Sequence, residues 1–177
     1  VSRSDRTIIG VAIGIPEPYA GVLREWRERA GDPQAKQVPP HVTLLPPTEV
    51  ATARLPRILR HLGRVAGRLA PFEVDLRGTG SFRPVSEVVF VAVAAGIAHC
   101  ERLERTVRSG PLAQRRAYPY HPHVTVAHDV PGEQLDVAYE GLADFRARFT
   151  VEGFTVFEQD EDGVWQPQRE FLLLGEC

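Results

Sequence analysis

Two segments of this chain place a histidine and a threonine two residues apart: His41 and Thr43 in PPHVTLLPP, and His123 and Thr125 in YHPHVTVAHD. In an extended strand alternate side chains share a face. Each segment therefore presents an imidazole and a hydroxyl together and turns its valine and the following aliphatic residue the other way. Histidine titrates near about pH 6.5, so two of them in one cleft can hold a neutral base and a charged acid at once. Two threonine hydroxyls can donate to the non-bridging oxygens of a phosphate between them. These four groups suffice for in-line cleavage of a phosphodiester without a metal. One imidazole takes a proton from the attacking water or hydroxyl, and the other gives one to the leaving oxygen. A single His-x-Thr carries no such meaning; two copies, each preceded by proline and followed by a helical pattern, do.

Elements of ordinary periodicity surround the two motifs. Thr7 to Ile15 is β-rich, and a helix is expected from Pro18 through Arg29. HVTLL, flanked by prolines, predicts a short strand. Between Ala51 and Ala70 the apolar residues Leu55, Ile58, Leu59, Leu62, Val65, Ala66 and Leu69 fall at helical spacing. FEVDLRGTGSF and EVVFVAV read as strands joined by RPVS, and Ile97 to Val107 as a helix with Cys100, Leu103 and Val107 inward. HVTVAHDV is again strand-like and GEQLDVAYEGLADF again helical. The rest reads as a meander with a turn at Asp162-Gly163. Motif strand, helix and strand pair thus occur twice, about half a chain apart. The expectation is one α+β domain over residues 1–177, bilobal, with duplicated lobes related by a pseudo-twofold axis around a central cleft.

Composition narrows the function classes. The chain has 177 residues, 43% hydrophobic and 25% charged, with a formal charge of −2, so any attraction to phosphate is local. Cys100 and Cys177 make neither a disulfide framework nor a zinc spacing. No apolar run reaches the roughly 20 residues of a membrane helix, and VSRSDRTIIG lacks a signal-peptide core. A soluble, cytoplasmic, monomeric protein without cofactor is expected.

HVTL and HVTV resemble the signature of the 2H phosphoesterase superfamily. GTGSFRPVSEVVFVAV and YPYHPHVTVAHDV extend a similarity to bacterial 2′-5′ RNA ligase family proteins over almost the whole chain. The resemblance implies a bilobal fold, each lobe an antiparallel sheet backed by helices. It implies opening of 2′,3′-cyclic phosphates to 2′-phosphomonoesters at RNA ends, with 2′-5′ ligation as the reverse, and His41, Thr43, His123 and Thr125 as catalytic residues. Two departures leave the substrate open among RNA, tRNA fragments and small cyclic nucleotides. His128 stands where RNA-active members carry an arginine, and LPPTEV replaces an aromatic and glycine continuation.

Further residues are candidates for substrate binding. Phe82 and Arg83 pair a ring with a guanidinium, as do Tyr118 and Tyr120 with Arg115 and Arg116. His121 and His128 flank the second motif. His121, His123 and His128 also suggest an alternative, a metal-dependent hydrolase. A third reading is a module that binds phosphorylated ends without turnover. Arg54, Arg57, His61, Arg64 and Arg68 form a stripe expected to be a solvated helix face. GTG lacks the ending of a phosphate loop, and the acidic EQDEDG turn is expected to lie away from the cleft.

Overall fold

The chain is described by a computed structural model over residues 5–176. Its strands are β1 (Arg6–Gly14), β2 (His41–Ala51), β3 (Phe72–Ser81), β4 (Val88–Ala95), β5 (His123–His128), β6 (Arg146–Val151), β7 (Gly153–Gln159) and β8 (Trp165–Leu172). Its helices are α1 (Tyr19–Arg29), α2 (Leu55–Arg68), α3 (Ile97–Val107) and α4 (Gly132–Gly141). The strands form one antiparallel sheet in the order β6-β3-β4-β5-β2-β1-β7-β8, where separate sheets in two lobes were expected. The motif strands β2 and β5 meet at its centre through Val42 and Val124.

The expected second strand pair is not a hairpin. β6 pairs with β3, whereas β7 pairs with β1 and β8. Only Glu152 separates β6 from β7, yet they stand first and seventh in the sheet. In a flat sheet that separation would be nearly 30 Å at about 4.8 Å per strand. A one-residue link reaches about 7 Å at most. The sheet must therefore curl until its two halves approach at this crossing.

β2 is longer than its prolines suggest, because a bulge absorbs them. Ile9 faces Thr48 and Val11 faces Leu45, so Gly10 alone stands opposite Pro46 and Pro47. On its other side β2 pairs with β5 only at Val42, so that edge asks no amide of either proline.

The helices bury one stripe each. α2 contributes Ile58, Leu62, Val65 and Ala66, and α3 contributes Cys100, Leu103 and Val107. His61 belongs to this stripe and not to the solvated face: it is 7% exposed, with Nε2 3.0 Å from the Val107 carbonyl. It lies three residues after Ile58 and four before Val65, which places it on the same face. Arg54, Arg57, Arg64 and Arg68 are exposed as expected. Among the described residues no helix is long and apolar enough to cross a membrane.

Candidate active site

Antiparallel register about Val42 and Val124 sets Thr125 across from His41 and His123 across from Thr43. The two valines are 1% and 0% exposed, so the flanking histidines and threonines share the opposite, accessible face. The histidines lie on the diagonal, where such neighbours stand about 7–8 Å apart. A phosphate fits between groups at that separation.

Each motif strand then carries a bulge at the same place. Leu44 is the extra residue between the pairs Ala12–Thr43 and Val11–Leu45, and Val126 the extra one between Phe90–Thr125 and Val89–Ala127. Leu44, Leu45, Val126 and Ala127 are all buried in consequence. The bulge shifts the alternation by one residue, which returns His128 to the accessible side.

Both imidazoles are oriented alike. His41 Nδ1 lies 2.8 Å from the Pro39 carbonyl, and His123 Nδ1 lies 2.6 Å from the His121 carbonyl. A carbonyl only accepts, so each Nδ1 carries the proton and each Nε2 is left for chemistry. The prolines before the motifs help to set this up. Pro40 and Pro122 bias Pro39 and His121 toward extended backbone, and the carbonyls of those two residues are the acceptors. Burial lowers the pKa of His41, the Pro39 carbonyl partly opposes this, and the charge of Arg27 lowers it further. Burial likewise lowers His123, against its bond to the His121 carbonyl, with the charges of His121 and His41 adding to the decrease.

Arg27 is held by a buried ion pair, its Nε 2.7 Å from Asp32 Oδ2 with the two side chains 5% and 1% exposed. Asp32 Oδ1 also accepts from the Gln34 amide at 2.9 Å and so fixes the turn that leads to Pro39. Asp32→Ala leaves the guanidinium buried and unpaired. The expected loss is about 3–5 kcal/mol of stability, read by urea denaturation.

The two halves of the site are filled unequally. Thr43 faces Ala12 and His41 faces Gly14, whereas Thr125 faces Phe90 and His123 faces Ala92. Phe90 lies against Phe82 at 4.5 Å between ring centres, and both rings flank His123, at 5.2 and 5.0 Å. On the His41 side small residues leave a cavity of about 350 Å³. His41, Thr43 and His128 meet it, and its far wall is Gln34, Phe157, Gln159 and Trp165.

The other sequence candidates fall around this site in different ways. Phe82 packs on His123 and His121, and His128 lines the cavity with Nε2 3.2 Å from Asp129. The Arg83 guanidinium is already engaged, donating to Asp136 at 2.8 Å and Ser81 at 3.1 Å. Tyr120 donates to the Thr43 carbonyl at 2.9 Å and so braces the first motif, while Tyr118 is 74% exposed. Arg115 is exposed, and Arg116 clasps the buried Glu104. Among the described residues no three His, Cys, Asp or Glu side chains gather into a metal-binding group, His121, His123 and His128 included. Sequence reasoning missed the far wall. The acidic turn itself is exposed, but its shoulders Gln159 and Trp165 border the cavity, so this hairpin adjoins the cleft. An indole at the shoulder of a charged turn was the available signal.

The chain is similar to known proteins in sequence and in fold. The family model described as 2′-5′ RNA ligase superfamily matches residues 15–163. A protein of Geobacillus kaustophilus, provisionally named a phosphoesterase, is 27% identical over 94% of this chain and 96% of its own. One of Bacillus cytotoxicus with the same provisional name is 31% identical over 80% of this chain and 83% of its own. Among solved structures, a Thermus thermophilus protein superposes with TM-score 0.66 at 26% identity, covering 96% of this chain and all of that one. Escherichia coli LigT complexed with 3′-AMP superposes with TM-score 0.65 at 21% identity, covering 95% and 98%. On the family match, carried by a chain with two His-x-Thr strands joined at the centre of one curled sheet, this protein belongs to the 2′-5′ RNA ligase superfamily and is a phosphoesterase of that family.

Proposed function

We propose that this protein hydrolyses 2′,3′-cyclic phosphates of RNA ends or nucleotides to 2′-phosphomonoesters, with His41 as general acid and His123 as general base. The observation that carries the assignment of roles is the unequal filling of the site. A cavity roomy enough for a nucleoside opens beside His41, whereas Phe82 and Phe90 fill the space beside His123. With the nucleoside in that cavity the ribose oxygens lie toward His41, and the opposite, in-line face of phosphorus lies toward His123. Water attacks phosphorus as His123 Nε2 takes its proton. The P–O3′ bond breaks as His41 Nε2–H protonates O3′, and the phosphate stays on O2′. One proton has moved from His41 to His123 through the cycle and returns by exchange with solvent. Thr43 and Thr125 donate to the non-bridging oxygens, and His128 adds a donor on the cavity side. Escherichia coli LigT, which shares this fold, has been solved complexed with phosphate and with 3′-AMP, in keeping with a nucleotide substrate.

The test is incubation with oligonucleotides and mononucleotides ending in a 2′,3′-cyclic phosphate, in excess chelator, with products separated by chromatography. A 2′-phosphate should form at an undiminished rate. A 3′-phosphate product reverses the leaving oxygen, and activity that chelation removes and zinc or manganese restores assigns the reaction to a metal site instead. Faster turnover of the oligonucleotide identifies an RNA end as the substrate.

A further inference from the structure

We infer that the outward face of α2 binds the sugar–phosphate backbone of a single-stranded RNA whose end occupies the cleft. Arg57, Arg60, Arg64 and Arg68 follow one another at three- and four-residue steps, and all are exposed. They line one side of the helix over roughly 16 Å, at about 1.5 Å of rise per residue. Residues 51–71 hold these four arginines and Arg54, and no aspartate or glutamate. The whole chain carries −2, so everything outside that segment carries −7. α1 shows what a solvated face looks like in this protein: Arg24 meets Glu17 at 3.3 Å and Arg29 meets Glu25 at 2.6 Å. Among the described residues, none of the four α2 guanidinium groups has a carboxylate or a hydrogen-bond acceptor.

This arrangement costs the helix. Like charges one turn apart destabilise it, and Arg60 stands so to Arg64, and Arg64 to Arg68. Arg57 lies in the first turn, where the helix dipole is positive, with no acidic residue and no side-chain cap beside it. Gly63 and Gly67 are exposed next to the arginines, and a Cβ at Gly67 would meet nothing within 4 Å. A glycine there weakens the helix without serving its packing, yet it leaves room for another backbone to approach. Guanidinium groups that no carboxylate occupies can each fork onto a phosphate. No large apolar residue of α2 is exposed, so this helix has nothing to sink into a lipid surface. A route also joins the face to the cleft. Pro47 lines the cavity, and Thr48 beside it accepts from Gln114 Nε2 at 3.1 Å. The next residue, Arg115, is exposed, and Arg54 at the head of α2 donates to the Pro111 carbonyl of the same loop at 2.8 Å. Only this route rests on the function proposed above; the binding face does not.

The test uses a single-stranded oligoribonucleotide ending in a 3′-hydroxyl, which leaves the reaction out, with Kd read by fluorescence anisotropy across a salt series. Four phosphate contacts contribute about 3 to the slope of log Kd against log salt, near 0.7 for each arginine. Arg57→Gln, Arg60→Gln, Arg64→Gln and Arg68→Gln combined should remove that part of the slope and weaken binding by about tenfold or more at low salt. The melting temperature of this variant should hold or rise, because the repulsion along the helix is relieved. Its turnover of a nucleoside 2′,3′-cyclic phosphate should be unchanged, while its kcat/KM on an oligoribonucleotide with a cyclic end falls. An unchanged Kd and salt slope in the variant overturn the inference and leave the phosphodiesterase reading standing. RNA affinity that persists while binding to phosphatidylserine vesicles is lost overturns it too, and assigns the face to a membrane. Absent turnover with RNA affinity that still depends on the four arginines overturns the phosphodiesterase reading instead and upholds the RNA-binding face.

Discussion

His123→Ala lowers turnover of a 2′,3′-cyclic phosphate by about 10²–10⁴-fold, the usual worth of one acid–base group, and the loss persists on a p-nitrophenyl phosphodiester. His41→Ala shows a loss of similar size on the cyclic phosphate, but most of it disappears on the nitrophenyl ester. The difference follows from where each imidazole acts. Nitrophenolate departs without a proton, so an enzyme lacking its general acid regains rate on such a substrate. Water still needs its proton removed, so an enzyme lacking its general base does not. The two histidines share strand type, tautomer and a preceding proline. The cavity beside His41 and the phenyl rings beside His123 are what separate their roles. A symmetric response of the two variants to the better leaving group sinks the assignment of roles, and the reverse response exchanges them. Thr43→Ala and Thr125→Ala lower the rate less and keep the pH profile, since a hydroxyl that donates to phosphate does not titrate in this range.

The second large effect is the pH dependence of kcat/KM, which should be a bell with its maximum below pH 6.5. Both free imidazoles are shifted downward, chiefly by burial. The active form has one proton on the pair, so it is most abundant between the two lowered values. Above the higher value the acid is lost and the rate falls about tenfold per pH unit. The limbs report the coupled pair and not individual histidines. Stability runs the other way. An unfolded histidine binds a proton near about pH 6.5, above the folded values, so the unfolded state holds more protons as pH falls through that window. The contribution of the two imidazoles to stability is complete above it and is lost as pH descends through the folded values. A maximum at pH 8 or above in kcat/KM contradicts the assignment of a charged imidazole as acid.

Local patterns in the sequence carried much of this architecture. The stripe of α2, the inward face of α3, the β3–β4 hairpin and the Asp162-Gly163 turn all depend on residues close in the chain, and all stand where periodicity and turn chemistry put them. The shared face of His41 and Thr43 was legible for the same reason, since alternation is a local property. Pairings between distant strands were not. The indole of Trp165 reaches Gly10 only because β7 lies between their strands, and nothing within either segment encodes that neighbour. The twin bulges at Leu44 and Val126 escaped notice because an extra residue is defined against the partner strand. His61 shows a different gap: its polar ring hid a place on the buried stripe that spacing alone would have assigned.

The crossing at Glu152 also fixes an order of events during synthesis. β1 is made first and finds β2 on one side, but its other neighbour, β7, begins only about a hundred residues after β2 is complete. At 5–20 residues per second that interval lasts roughly 5–20 s. Throughout it the strand bearing Ile9, Val11 and Ile13 presents an open row of amides and carbonyls. Folding of this sheet therefore waits on β7, and a nascent chain stalled before Gly153 is a template for pairing with its neighbours on the same message.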